Sequence, residues 1–388
     1  LDVYIDREQT AAKHFILKRY LETLAFKLLL GGYSTLTYID GFSGPWETRT
    51  GDHSDSSFMI AIKALKSVQE NLRLQGRRHR IKCFFVEQNP TSYAELHATV
   101  MQHHDPKNDF HIETFNGRFE DATAQIQSFV RGTFALTFID PTGWTGYEFA
   151  KIKPILEHTP SEVLVNFMFN FINRFTASSD ERILKSFDGI LGQNWQSRMD
   201  VTANRENEIL RLFSTEFQQT ADFEWVLHTP IEKISDKRTH FYIVYGTRSL
   251  KGLETYRNVE YSALKEHGMR RIEAKASKLM EATGQSNLFM AAELSNISFE
   301  HQIDTTKKRV TEWLCAELAR IGKPIRFGDL WPAVLQEHTL RITDVKDICA
   351  QLGKSGQIIE SWKANKSKRR TPIDSDLIQL STKNNSNM

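Results

Sequence analysis

The sequence is poor in the features that mark out many protein classes. It holds only 3 cysteines, Cys83, Cys315 and Cys349, and no two of them form a C-x-x-C pair. That spacing argues against a disulfide framework and against a zinc or iron–sulfur site built by this chain alone. No apolar run reaches the ~18 residues of a membrane span, and nothing reads as a secretory signal, so a cytoplasmic location is expected. A surplus of one charge is also lacking. The 50 Lys and Arg stand against 48 Asp and Glu, a formal net of +2. Any basic surface for a polyanion must therefore be local. Internal repeats and long low-complexity segments are missing too, apart from a polar tail over Ser381 to Met388. What remains is ordinary globular material: 40% hydrophobic and 25% charged residues in a chain of 388, enough for two domains.

The stretch that organises the chain is Leu36-Thr37-Tyr38-Ile39, short, apolar and rich in β-formers, which reads as a buried parallel strand. It runs into Asp40-Gly41-Phe42-Ser43-Gly44, and apolar residues at helical spacing follow over Ser57 to Lys66. Strand, glycine turn and helix in that order hold nucleotide-like cofactors at the carboxyl end of a doubly wound sheet. A glycine turn kept for packing alone is the alternative. An amphipathic helix over Lys13 to Leu30 precedes the strand and stops at Gly31-Gly32. His14, at its start, reads as a surface or capping histidine. The polar loop from Trp46 to Ser56 has the character of a ligand cover.

Four further strands follow. Ile81 to Val86 is closed by Glu87, an acid placed to accept hydrogen bonds from ribose hydroxyls, or else a solvated strand end. His111 to Phe115 leads to Asn116, near an adenine ring if one is bound. Phe134 to Ile139 ends in Asp140-Pro141-Thr142-Gly143-Trp144. A carboxylate at a central strand tip can accept from an exocyclic amine, and an aromatic ring beside it can stack on a base. A capping Asp with a core Trp is the alternative. Val163 to Phe169 is the fifth strand, residues 178–220 are a helical insertion, and Phe223 to His228 with His240 to Thr247 form an antiparallel pair at the sheet edge. Five βα units followed by such a pair are the layout of an α/β, class I methyltransferase-like Rossmann sheet.

After a helix over Lys251 to Glu281 and a looser connector over Ala282 to Asp304, a second module starts. Helices are predicted over Thr305 to Ile321, Phe327 to Leu335 and Ile342 to Leu352, then strands over Gln357 to Trp362 and Asp376 to Leu380. Three helices and a two-stranded wing describe a winged helix-turn-helix, whose third helix suits a major groove. The wing carries Lys363, Lys366, Lys368, Arg369 and Arg370, enough to meet several phosphates, although winged helices also dock proteins. The expected division is a Rossmann domain over 1–265, a helical connector over 266–304 and a winged helix over 305–388.

These motifs resemble the three-Cys-motif partner proteins. The resemblance rests on Lys13-His14, Leu17 and Tyr20-Leu21, on Tyr38 to Pro45, on Phe138 to Trp144, on Asn173-Arg174-Phe175, and on Phe241 to Thr247 with Gly252-Leu253-Glu254. It implies a methyltransferase-like Rossmann fold. It also implies a separate radical-SAM-like partner that carries the three cysteines, which explains why those here form no motif. Two departures fall in the cofactor loop. Trp46 stands where the family has a further glycine, and Asp55-Ser56-Ser57 where it has Gly-Ser-Pro. Trp46 either covers an adenosine or blocks the site.

The expected function is S-adenosylmethionine-dependent modification of a nucleic-acid base, at an exocyclic amine. Asp40, Gly41, Phe42 and Gly44 form the cofactor turn, with Glu87 on the ribose and Asn116 beside it. Asp140, Pro141 and Trp144 form the catalytic set, by analogy with a D-P-P-Y motif whose second proline and last aromatic are missing here. The rivals are a scaffold that binds nucleic acid for its partner, a nuclease or other hydrolase in phage defence built on Glu120, Asp121 and Asp140, and a transcription regulator.

Overall fold

A computed structural model describes residues 8–44, 50–176, 178–232, 239–283, 288–366 and 368–381. The chain divides into two compact units, Leu1–Ser249 and Leu250–Met388.

The first unit alternates helices and strands: α1 (Glu8–Leu30), β1 (Thr35–Asp40), α2 (Ser57–Leu74), β2 (Arg80–Glu87), α3 (Pro90–Met101), β3 (Phe110–Asn116), α4 (Thr123–Val130), β4 (Phe134–Ile139), α5 (Phe149–Leu156) and β5 (Ser161–Phe167). Four helices follow, α6 (Phe169–Phe175), α7 (Glu181–Ser186), α8 (Asp188–Leu191) and α9 (Arg205–Ala221), and then β6 (Trp225–Glu232) and β7 (Thr239–Thr247). Local chemistry sets several helix starts. Ser56 caps α2 by accepting from the Met59 N–H, and Asn89 caps α3 with Pro90 at its first position. Asn204 caps α9 in the same way.

The strands form one seven-stranded sheet in the order β3-β2-β1-β4-β5-β7-β6. β1 to β5 are parallel, whereas β7 runs antiparallel to both β5 and β6. This is the layout read from the sequence, a mixed α/β unit around a mostly parallel sheet. The order reverses between β1 and β4, which opens a crevice at their carboxyl ends.

Side chains alternate between the two faces of the sheet. Ile39, Phe84, Val86, Ile139, Val163 and Val165 enter one large core with Phe129, Phe149, Phe213 and Phe217 of α4, α5 and α9. α1 lies on the other face. Its Tyr20 hydroxyl donates to Glu162 Oε2 at 2.6 Å and meets the Tyr245 hydroxyl at 2.6 Å, all three groups buried. Glu162 is the second residue of β5, so Tyr20 sits over the base of the sheet. Lys13, two helical turns earlier, therefore comes out over the strand tips.

The second unit holds α10 (Leu250–Thr283), α11 (Leu288–Ile321), β8 (Ile325–Arg326), α12 (Phe327–Glu337), α13 (Ile342–Lys354) and β9 (Leu377–Ile378). β8 and β9 pair antiparallel.

Several boundaries differ from the sequence reading. α1 starts at Glu8 rather than Lys13. β5 stops at Phe167, because Phe169 already begins α6. The connector over 282–304 is mostly helical, with α11 beginning at Leu288. The strand expected over Gln357 to Trp362 is reduced to one bridge between Ile358 and Leu380, and Ser361–Lys366 form a 3-10 helix. Trp362 is fully buried there, and this turn folds it inward, which an extended strand with alternating sides would not require. Trp46 and most of the polar tail lie outside the described residues.

Candidate functional site

The crevice at the tips of β1, β4 and β5 holds a cavity of about 400 Å³, within the range of small-molecule sites, roughly 300–1,000 Å³. Several elements build its wall. The start of α1 contributes Gln9, Thr10, Lys13 and His14, the loop after β1 contributes Phe42 and Gly44, and the start of α2 contributes Asp55, Ser56 and Ser57. The strand tips add Asp140, Pro141 and Asn166, and Met168, Phe171 and Phe241 close the apolar side.

The sequence-predicted residues divide between the cavity and its support. Phe42, Gly44, Asp140 and Pro141 line it. Asp40 stands behind it, fully buried at the end of β1. It accepts from the Phe42 N–H at 3.1 Å, from Ser57 Oγ at 2.9 Å and, at 3.4 Å, from the Tyr38 hydroxyl. Burial pushes the Asp40 carboxyl up to about 6, and the neighbouring Asp140 charge adds to this against the Phe42 and Ser57 bonds. Asp40 thus ties the β1 turn to the first residue of α2.

Gly41 has a packing reason to be glycine. A Cβ on it would lie 2.8 Å from Phe119 Cδ2. The Gly41 N–H donates to Phe138 O at 3.0 Å and the Ser43 N–H to Val86 O at 2.8 Å, so the turn crosses between the tips of β4 and β2. Glu87 and Asn116 are register partners at the ends of β2 and β3. Glu87 accepts from the Asn89 N–H at 2.6 Å, Asn116 Nδ2 donates to Glu87 O at 2.9 Å, and burial raises the Glu87 carboxyl. Both lie outside the cavity lining.

Trp144 also lies apart from the cavity. Its ring packs against Phe175 and Phe187, each at 5.2 Å between centroids, and Nε1 donates to Ser186 Oγ at 2.8 Å. The aromatic surface facing the cavity comes instead from Phe42, Phe171 and Phe241.

Asp140 is the centre of a relay that the sequence gives little sign of. Lys13 Nζ donates to its Oδ2 at 2.7 Å, and Asn166 Nδ2 donates to its Oδ1 at 2.7 Å. The Lys13 and Asp140 side chains are 14% and 13% exposed, so this ion pair is shielded from water and salt more than a surface pair is. Both carboxylate oxygens are engaged, which fixes the Asp140 side chain in place. Lys13 and Asn166 stand 127 and 26 residues from Asp140. The pairing of β4 with β5 brings Asn166 there and the packing of α1 brings Lys13, and the one local signal was a polar Asn within the apolar run Val163 to Phe167.

Glu120 and Asp121 do not join Asp140. Glu120 accepts from the Glu148 N–H at 3.0 Å and from Lys151 Nζ at 3.2 Å. Among the described residues, no group of three or more His, Cys, Asp or Glu is arranged to hold a metal.

In the second unit, the basic loop is partly spent on ion pairs. Arg369 makes a two-pronged contact with Asp376 at 2.6 and 3.0 Å, and Lys363 pairs with Glu360 at 2.6 Å. Lys368 and Arg370 are exposed and form no ion pair among the described residues. Lys366 lies in the 3-10 helix.

No family model matches the chain, and no curated protein matches it. Solved structures do. One is a Legionella pneumophila protein at 11% identity and a TM-score of 0.35, covering 67% of this chain and 92% of that one. Another is a cofactor-bound MTB protein at 12% identity and a TM-score of 0.33, covering 60% and 79%. A third is a loganic acid methyltransferase with SAH at 11% identity and a TM-score of 0.29, covering 77% and 90%. Every one of these scores is below one half, so the functional reading stands on the geometry of this chain.

Proposed function

We propose that the chain holds S-adenosylmethionine in the cavity at the tips of β1, β4 and β5 and uses it to modify a nucleic-acid base at an exocyclic amine. The observation that carries this reading is the position of the cavity. It lies at the point where the strand order reverses, where open α/β sheets take their ligands. The donor set fits the group. Asp55 and Asp140 line the cavity and Asp40 stands behind it, against one lysine, a setting that suits a sulfonium cation. When bound, the cofactor would supply the methyl group. The chain's own residues have simpler tasks. Phe42, Phe171 and Phe241 exclude water, Asp40 fixes the turn, and the Lys13–Asp140–Asn166 relay holds the polar wall in one arrangement. Alignment and desolvation of this kind are what a methyl transfer needs.

The second unit, read as a winged helix, would bring the nucleic acid through Lys368 and Arg370. The resemblance to three-Cys-motif partner proteins adds a radical-SAM-like companion to the assembly. The test is transfer of a tritiated methyl group from S-adenosylmethionine to unmodified DNA or RNA, with and without that companion. Label recovered in a base, and lost in Asp140→Ala, supports the reading. Nucleic-acid binding with no label under either condition moves the chain to a scaffold role.

A further inference from the structure

Asn166 is 3% exposed and lines the cavity, yet its Oδ1 is buried with no hydrogen-bond partner among the described residues. The orientation of its amide is settled by its neighbours. Asp140 Oδ1, 2.7 Å away, belongs to a carboxylate already paired with Lys13 and can only accept, so the amide nitrogen must face it. The same nitrogen approaches Met168 Sδ at 3.4 Å. Turning the amide over would set a carbonyl oxygen against a carboxylate. The carbonyl is therefore held in place with nothing to accept.

Buried acceptors in folded proteins nearly always have a donor, and leaving one without costs appreciable stability. Here the protein side is fixed by the relay, and Asn166 is part of the cavity wall. Asp140 already accepts one hydrogen bond on each oxygen, from Lys13 and from Asn166, whereas Asn166 Oδ1 accepts none. Among the polar groups of the wall, Asn166 Oδ1 is a buried side-chain oxygen without a hydrogen-bond partner. Phe42, Phe171 and Phe241 supply flat apolar surface in the same cavity, suited to an aromatic ring.

We propose that Asn166 Oδ1 accepts a hydrogen bond from the exocyclic amine of an aromatic base, so that Asn166 is the residue that selects an amino base, and Lys13 and Asp140 are positioning residues that aim it. This assignment rests on the base-modification reading above and moves the amine contact from Asp140 to Asn166. A site with a fixed acceptor rejects a ligand that lacks the matching N–H, because the acceptor is then left buried and unpaired.

The test uses two pairs of nucleosides. Adenosine is compared with purine riboside, and cytidine with its analogue lacking the 4-amino group. Binding to the full chain is measured by ligand-observed NMR, with and without S-adenosylhomocysteine. The wild-type protein is expected to bind the amino member of at least one pair about tenfold more tightly. Asn166→Leu should bind both members equally, at the affinity the wild type shows for the deaminated one. Asn166→Ser keeps a donor for Asp140 but is too short to place the acceptor, and it should lose the preference as well if the leucine variant fails to fold. Lys13→Gln should reduce the preference for the amino member.

Equal binding of both members by the wild type, or no binding of any nucleoside, overturns the assignment. So does a preference that survives in Asn166→Ser. Binding of S-adenosylhomocysteine without amine preference overturns only the role of Asn166. Amine preference without S-adenosylhomocysteine binding retains Asn166 and removes the methyl-transfer reading beneath it.

Discussion

Asp40 couples the chemistry of one carboxyl to the stability of the turn. Its folded value of about 6 lies above the ordinary 3.8 because burial penalises the charge. A raised acid contributes stability that is fully present below the unfolded value and is lost as pH rises through the folded one. Between about pH 4 and 6 the folded protein binds more protons at this site than the unfolded chain does, so stability falls across that window. Asp40→Asn removes this term. Its stability relative to the wild type should therefore rise with pH over that range by roughly 3 kcal/mol, as an order of magnitude, and level off above pH 7. Urea unfolding of both proteins at several pH values checks this, and a constant difference would contradict it. Tyr20 offers a second case. Tyr20→Phe takes one donor from the buried Glu162 and should destabilise by about 1–3 kcal/mol in the same assay.

Elements were legible where local pattern decides and obscure where distant contacts do. β1 and β4 showed as short apolar runs, and α13 showed as an apolar-periodic helix, because burial of both sheet faces or one helix face leaves a mark in adjacent residues. The strand tips were legible as places, and Phe42, Gly44, Asp140 and Pro141 do line the cavity. Their partners were not, since Lys13 meets Asp140 only through the packing of α1 and Asn166 only through sheet order, and Trp144 finds Ser186 42 residues away. Gly41 shows how a motif residue can serve packing. Gly41→Ala drives a methyl group against the Phe119 ring and should cost about 1–3 kcal/mol. If the ring is the cause, the cost in a Phe119→Leu background should be smaller by about 0.5 kcal/mol or more. Chemical denaturation of the four proteins measures both values, and an unchanged cost in the double variant would remove Phe119 as the reason.

At the scale of the whole chain, the nearly balanced charge makes any contact with nucleic acid a local matter. In the second unit, Arg369 is committed to Asp376 and Lys363 to Glu360. Of the basic residues of that loop, Lys368 and Arg370 are exposed and form no ion pair among the described residues. Replacing both with glutamine should weaken binding of a fluorescent duplex and lower the slope of log K against log salt by roughly 1.8. An unchanged slope in an anisotropy titration would place the nucleic acid elsewhere.

The central claim is a cofactor held at the strand reversal, and calorimetric titration with S-adenosylmethionine and S-adenosylhomocysteine tests it most directly. The account predicts micromolar binding by the wild-type protein, weakened about tenfold in Asp140→Asn, where the cavity loses a carboxylate and Lys13 its partner. Absence of binding by a wild-type protein that unfolds cooperatively would contradict it.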